Sequence, residues 1–495
     1  MAKSGTMAVE RNPYNRHQPI SILYEDILQR IFWINADMND ESTGSHRDHD
    51  SWKFRAMTIT RHSSQVCRYW RQIILESPSL WGRAIDLQLL QQSKEAWMKE
   101  VFHRTQDSLL YVKGTSSPTL FESLIKTYWT RVHELDVVIL GPQSLTYETC
   151  ESMKKPNQNL RSFKLSTRPE PVYGTVFPTY APSLRVFHTG NIKFSPTSTW
   201  LPQISSLLLS YDPSFQIPLA QLFKMISKMP SLQYLSLRRA VLPALDQSVN
   251  ITSLPKLSEV VVHEKDINTA ITILEHIEPA IGCSLNFKCP DSSALINGEL
   301  ASRAHAVLSH YSKVYFDNHT PTELSIKTAV RSVWIETPVS ELSDSYFHIS
   351  YKPNNTWAVL HSLISCRLST VRSLTIDLMF LGFLPSESLF VQFLHSFPSV
   401  EVMDATMRTI AVLNSINSET AVIFPRLAEL KLAGFIISHL NDPVPQFLWH
   451  RVEIGFPVRL LDLTKCLYTS EGAVRRRYLE QSPDLELVFH SSHLS

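Results

Sequence analysis

The chain has 495 residues, 43% of them hydrophobic and 19% charged, with a formal net charge of +1. That length exceeds one compact core, that composition excludes disorder over most of the chain, and the balanced charge gives no overall pull toward nucleic acid or an anionic membrane. Six scattered cysteines, Cys67, Cys150, Cys283, Cys289, Cys366 and Cys466, form no C-x-x-C pair, which excludes a disulfide framework or zinc module and predicts a reducing, cytoplasmic or nuclear location.

Residues 1–16 are polar and predict a flexible tail without the apolar core of a signal peptide. A helix is expected from Ile20 to Phe32: Leu23, Ile27 and Ile31 recur at i, i+4, i+8, with Glu25, Asp26, Gln29 and Arg30 on the other face. The Leu23–Ile27–Ile31 stripe is the expected buried one. Leu28 and Phe32 add a second apolar edge, so one of the two edges is expected to face something outside the chain. Residues 35–51 form a polar insert with the composition of a disordered loop. Ala56, Ile59, Val66, Trp70 and Ile73 then predict a second helical stretch, roughly Ala56 to Leu75. It should stop before Pro78, which donates no backbone hydrogen bond and restricts Ser77.

Three elements in this stretch carry a family resemblance: Leu23-x-x-x-Ile27-Leu28-x-x-Ile31-Phe32, Val66-Cys67-Arg68-x-Trp70-Arg71 and Pro78-x-Leu80-Trp81. They resemble the F-box, especially the fungal F-box-like family; Tyr24 stands where that family usually has proline. The resemblance implies a small all-α F-box over residues 17–83. It also implies a face for a Skp-type adaptor built from Pro19, Ile20, Leu23, Tyr24, Ile27, Leu28, Ile31, Val66, Cys67 and Trp70, and through the adaptor a link to cullin and RING subunits. The implied function is that of a substrate-recognition subunit of an SCF-type E3 ubiquitin ligase, presenting an unidentified protein substrate for ubiquitin-dependent degradation. Such a subunit is not itself an enzyme and needs no cofactor or metal. The alternative is a leucine-rich-repeat interaction scaffold whose F-box no longer binds the adaptor.

From residue 84 to 495 short apolar triplets alternate with helix-like stretches. Ala84-Ile85-Asp86-Leu87, Leu109-Leu110-Tyr111-Val112 and Leu135-Asp136-Val137 read as strands, with helices at Ser93 to Thr105 and Leu120 to Trp129 between them. An L-x-x-L-x-L pattern follows, starting at Leu160, Leu184, Ile204, Leu232 and Leu257, and again at Val371, around Met403, at Leu427 and at Leu460. Several copies open on proline, as in Pro230-Ser231-Leu232 and Pro425-Arg426-Leu427. The spacing is that of leucine-rich repeats, and predicts an irregular α/β solenoid: a curved parallel sheet with outer helices. Ser236 and Lys431, at intervening strand positions, would line its concave face. The rhythm is poor from Ile281 to Asn355. The other reading is an α/β domain whose strands are merely Leu-rich.

Local signals for chemistry are weak. His46-Arg47-Asp48 copies a kinase tripeptide without the accompanying motifs, and His46, Asp48, His49 and Asp50 lack any ordering element for a metal. Cys283 and Cys289 flank Leu285 and Phe287 in one strand phase, which fits apolar packing. Glycine is scarce, 13 in all, and no phosphate-cradling or nucleophile motif occurs. The runs Lys154-Lys155 and Arg475-Arg476-Arg477 read as solvated surface. An enzyme would have to place its site in the irregular region from Ile281 to Asn355.

Overall fold

Each L-x-x-L-x-L copy becomes a β-strand, because the pattern sets its last two buried positions two residues apart, the period of an extended chain. The computed structural model describes residues 23–38, 55–141, 145–168, 172–175, 180–213, 215–242, 250–290, 298–329, 332–338, 346–351, 360, 362–378, 387–416, 422–437, 442–468, 478 and 484–489. These form a mixed α/β structure with mostly parallel, open sheet, in two compact units, Met1–Trp200 and Leu201–Ser495. The change expected at 83/84 is a change of architecture inside the first unit. No helix among the described residues is long and apolar enough to cross a membrane.

The first unit opens with α1 (Glu25–Asn35), α2 (Ala56–Ser63), α3 (Arg68–Leu75) and α4 (Pro78–Arg83). Its sheet follows in chain order: β1 (Ile85–Asp86), β2 (Leu110–Ser116), β3 (Val132–Leu140), β4 (Ser162–Arg168) and β5 (Val186–Gly190), all parallel. In register, Ile85, Val112, Leu135, Phe163 and Phe187 form one fully buried row. Each such side chain contributes roughly 1.5–3 kcal/mol of burial. The next row, on the opposite face, reads Asp86, Lys113, Asp136, Lys164, His188. Asn157, 1% exposed, ties a turn together: its Nδ2 donates to Trp129 O and Val132 O, and its Oδ1 accepts from the amides of Asn159 and Leu160.

The second unit starts in the same manner with β6 (Ser206–Ser210), β7 (Tyr234–Arg238), β8 (Glu259–His263) and β9 (Ser284–Cys289), parallel and in order. The strands after them in the chain are β10 (Glu323–Ala329), β11 (Ser332–Glu336), β12 (His348–Tyr351), β13 (Ser373–Leu378), β14 (Val402–Ala405), β15 (Glu429–Ile437), β16 (Leu460–Tyr468) and β17 (Glu486–Val488). In space β9 is followed by β12, β11, β10 and only then β13, with β11 antiparallel to both neighbours. The 19-residue helix Gly298–Phe316, about 28 Å long at 1.5 Å per residue, carries the chain past two strand positions. A meander then fills them backwards. This corrects the expected all-parallel array and explains why the rhythm fails between Ile281 and Asn355.

Three smaller expectations are revised. The last copy is phased Val458-x-x-Leu461-x-Leu463, whose members are buried, while Leu460 is half-buried. Ser236 does not line an open face: it is 0% exposed, between Leu235 and Leu237, which are also buried. Lys431 is half-buried and pairs with Glu429 at 3.2 Å. Cys283 and Cys289 do pack with Leu285 and Phe287 in the core, and burial pushes the Cys283 thiol up to about 12.

Candidate protein-docking surface

The four N-terminal helices are built around Leu28 and Phe32 of the first and its C-cap Ala36, Ala56 and Met57 of the second, Ile73 and Ile74 of the third and Leu80 and Trp81 of the fourth, all buried. The stripe of α1 that faces the core is therefore Leu28–Phe32–Ala36, and the expected assignment of its two edges is reversed. Phe32 meets Trp70 edge to face, with centroids 5.0 Å apart. Leu23 and Ile31 are half-buried, Ile27 is 44% exposed and Tyr24 77%. Leu23–Ile27–Ile31 is thus the outward edge. Acidic Glu25 and Asp26 sit in the first turn, where the helix dipole favours them.

The predicted single helix from Ala56 to Leu75 is broken at Ser64–Cys67. Ser64 Oγ donates back to Arg61 O at 2.7 Å, and Arg71 Nε donates to Ser64 O at 3.0 Å, so the turn is closed by its own side chains. Cys67 caps α3: its Sγ accepts from the Trp70 amide at 3.4 Å. The break leaves Val66 62% exposed and Tyr69 41% exposed beside it. Trp70 is half-buried. Pro19 and Ile20 lie outside the described residues, as do His46 to Asp50, most of the polar insert and Arg475 to Arg477.

The Pro-x-Leu-Trp segment fastens these helices to the first strands. Pro78 occupies the first turn of α4, Trp81 Nε1 donates to Ile74 O at 2.9 Å, and the Arg104 guanidinium lies 4.8 Å from the Trp81 ring. Gly82 is required here: a Cβ would stand 2.3 Å from Leu109 O. The described residues on either side of positions 39–54 are held at one register position of the sheet. Arg55 pairs with Asp86 at 3.0 Å, Lys113 Nζ donates to Met38 O at 3.0 Å, and Asp86 and Lys113 are opposite each other in β1 and β2. Burial pushes the Lys113 ammonium down, with Asp136 opposing.

The arrangement presents separate apolar side chains on a supported helical frame, suited to docking another protein's apolar surface. Tyr69, Trp33 and Ile34 are outward apolar residues that the sequence reading missed. Their signal is an apolar residue off the buried stripe of its own helix. Among the described residues no group of three His, Cys, Asp or Glu could hold a metal. The sequence matches no family model and no curated protein.

Proposed function

We propose that this chain is the substrate-recognition subunit of an SCF-type ubiquitin ligase, taking a Skp-type adaptor on its N-terminal helices, an F-box, and a target protein on a leucine-rich-repeat-like array. The observation that carries the reading is the outward set Tyr24, Ile27, Val66 and Tyr69 on a frame whose inner residues are already buried. The apolar residues of the F-box-like motif are thereby divided between core and surface. Catalysis in such an assembly is proximity: the chain holds its target near a charged conjugating enzyme and raises the effective concentration of its lysines.

The scaffold reading draws on Tyr24 in place of proline. Tyr24 has φ −66° and ψ 154°, and φ near −65° is the angle that proline imposes. The backbone of that turn therefore has the course a proline would give it, which favours the receptor reading over the scaffold. Co-expression with a Skp-type adaptor tests it. Wild type should elute as a stoichiometric complex, and Ile27→Asp or Val66→Asp should lose it with unchanged circular dichroism. Leu28→Asp is the wrong probe, because Leu28 is 0% exposed and a buried charge would unfold the helices. A folded wild type that captures no adaptor would leave the scaffold.

A further inference from the structure

We propose that a pocket at the turns leading into β10, β13, β14 and β15 is a receptor site for a phosphoryl group carried on a protein segment. The inference deepens the receptor reading and rests on it for the origin of the ligand. The turns are joined by shared carbonyls: Thr322 O accepts the amides of Arg372 and Ser373 at 2.8 and 3.0 Å, and Arg372 O accepts those of Glu401 and Val402 at 2.8 and 3.0 Å. Glu401 O in turn accepts those of Ala428 and Glu429 at 2.9 and 3.0 Å. This stepwise sharing puts Thr322, Arg372 and Glu401 in one row. Two residues earlier on each turn, Thr320, Thr370, Ser399 and Arg426 form a second row. At about 4.8 Å per strand that row spans roughly 14 Å, room for a phosphoryl group and its flanking residues.

Together with Ser369, the two rows except Glu401 line a pocket of about 370 Å³. The residues that line it carry two guanidiniums, five hydroxyls and no carboxylate. Among the described residues neither Arg372 nor Arg426 makes a side-chain ion pair or hydrogen bond, and Glu401 does not neutralise either of them. Thr370 Oγ1 donates to Pro321 O at 3.1 Å and so stiffens the ridge. Among the described residues the other four hydroxyls have no hydrogen-bond partner, and they can donate. Guanidinium forks match the oxygens of a phosphoryl group, which carries nearly two charges and three acceptors. A carboxylate, with one charge and two oxygens, would engage fewer of these donors.

The test is fluorescence anisotropy on the full chain with a phosphoserine peptide pool of degenerate flanks, its unphosphorylated twin, and inorganic phosphate as competitor. The phosphorylated pool should bind at least tenfold more tightly and be displaced by phosphate. The double variant Arg372→Ala, Arg426→Ala should lose at least tenfold in affinity with an unchanged circular dichroism spectrum, since both side chains are exposed. Equal binding of the two pools, or an undiminished double variant, overturns the site. Binding of phosphoinositide vesicles in place of the peptide overturns the protein origin of the ligand. Adaptor capture by the same preparations is read separately: capture without phosphopeptide binding sinks the pocket alone, and the reverse sinks the receptor reading alone.

Discussion

In the first unit the outward row of the sheet alternates in sign, Asp86, Lys113, Asp136, Lys164, and its members are paired: Asp86 with Arg55 at 3.0 Å, Lys164 with Asp136 at 3.3 Å. In the second unit the corresponding row runs Ser236, Val261, Asn286, His348, Glu336, Ser325. Ser236 and His348 there are buried, and Ser236 Oγ, His348 Nε2 and Ser325 Oγ have no hydrogen-bond partner among the described residues. One sheet neutralises its polar face by cross-strand charge. The other carries a single carboxylate, Glu336, 3.4 Å from His348 Nδ1, among uncharged groups, and leaves some buried polar atoms unsatisfied, which costs about 1–3 kcal/mol per group. Strand pairing alone therefore does not decide what a face is for; the side chains at alternate positions do.

The largest expected effect tests whether the two sheets are separate cooperative bodies at all. Trp81 is 1% exposed and joins the helices to the first strands, so Trp81→Ala should cost about 3–5 kcal/mol. Hydrogen exchange should show lost protection concentrated in residues 55–116, with β7 and β8 still protected. Equal loss in both sheets would mean that they unfold together, and the contrast drawn above would not apply to stability.

Next in size is a pH effect confined to the second unit. Glu264, 3% exposed, accepts the Ala240 amide at 2.9 Å, and burial pushes its carboxyl up to about 8. The unfolded carboxyl ionises near 4.5, so between 4.5 and 8 the unfolded state holds fewer protons and stability falls as pH rises. The contribution of the buried neutral acid is complete below 4.5 and gone above 8. Glu264→Gln should flatten this slope and, measured by denaturant unfolding at pH 9, raise stability by up to roughly 4 kcal/mol. On the same strand His263, hydrogen-bonded to Asn286 at 3.0 Å, is pushed down to about 4 by burial. Its sign is opposite: stability is full above 6.5 and declines as pH falls toward 4.

Strand positions were legible because buried Leu, Ile and Val recur at a period of two within each turn-to-strand segment, and that period is local. Strand direction is not local. Ser332–Glu336 alternates as well as any neighbour, yet it runs antiparallel because the long helix before the meander overshoots. On α1 both apolar edges had helical spacing, so periodicity could not say which one the core takes; Ala36, eight residues beyond Leu28, was the cue to the inner stripe. Ser236 was misplaced because a small hydroxyl in an otherwise apolar strand is compatible with either an open or a covered face. The pocket at Arg372 and Arg426 was invisible, since its residues come together only through the register of four strands.

A smaller effect has an unusual direction. Because Ser236 Oγ is buried without a partner, Ser236→Ala should stabilise the protein by about 1 kcal/mol, read as a raised denaturant midpoint at unchanged slope. A loss of stability would show that the hydroxyl is hydrogen-bonded, and the two faces would then be equally satisfied.

The smallest effect belongs to the charged row of the first unit. Lys164 and Asp136 are 38% and 40% exposed in their side chains, so solvent screens them and the pair should couple by only about 0.2–1 kcal/mol. A double-mutant cycle with Lys164→Ala and Asp136→Ala isolates that term, and repeating it at about 1 M salt, where the Debye length falls to roughly 3 Å, should nearly abolish it. A coupling several times larger and insensitive to salt would mean that this row is covered in solution. The alternating charges would then be a buried network like the polar row of the second unit, and the difference between the two faces would be one of residue type only.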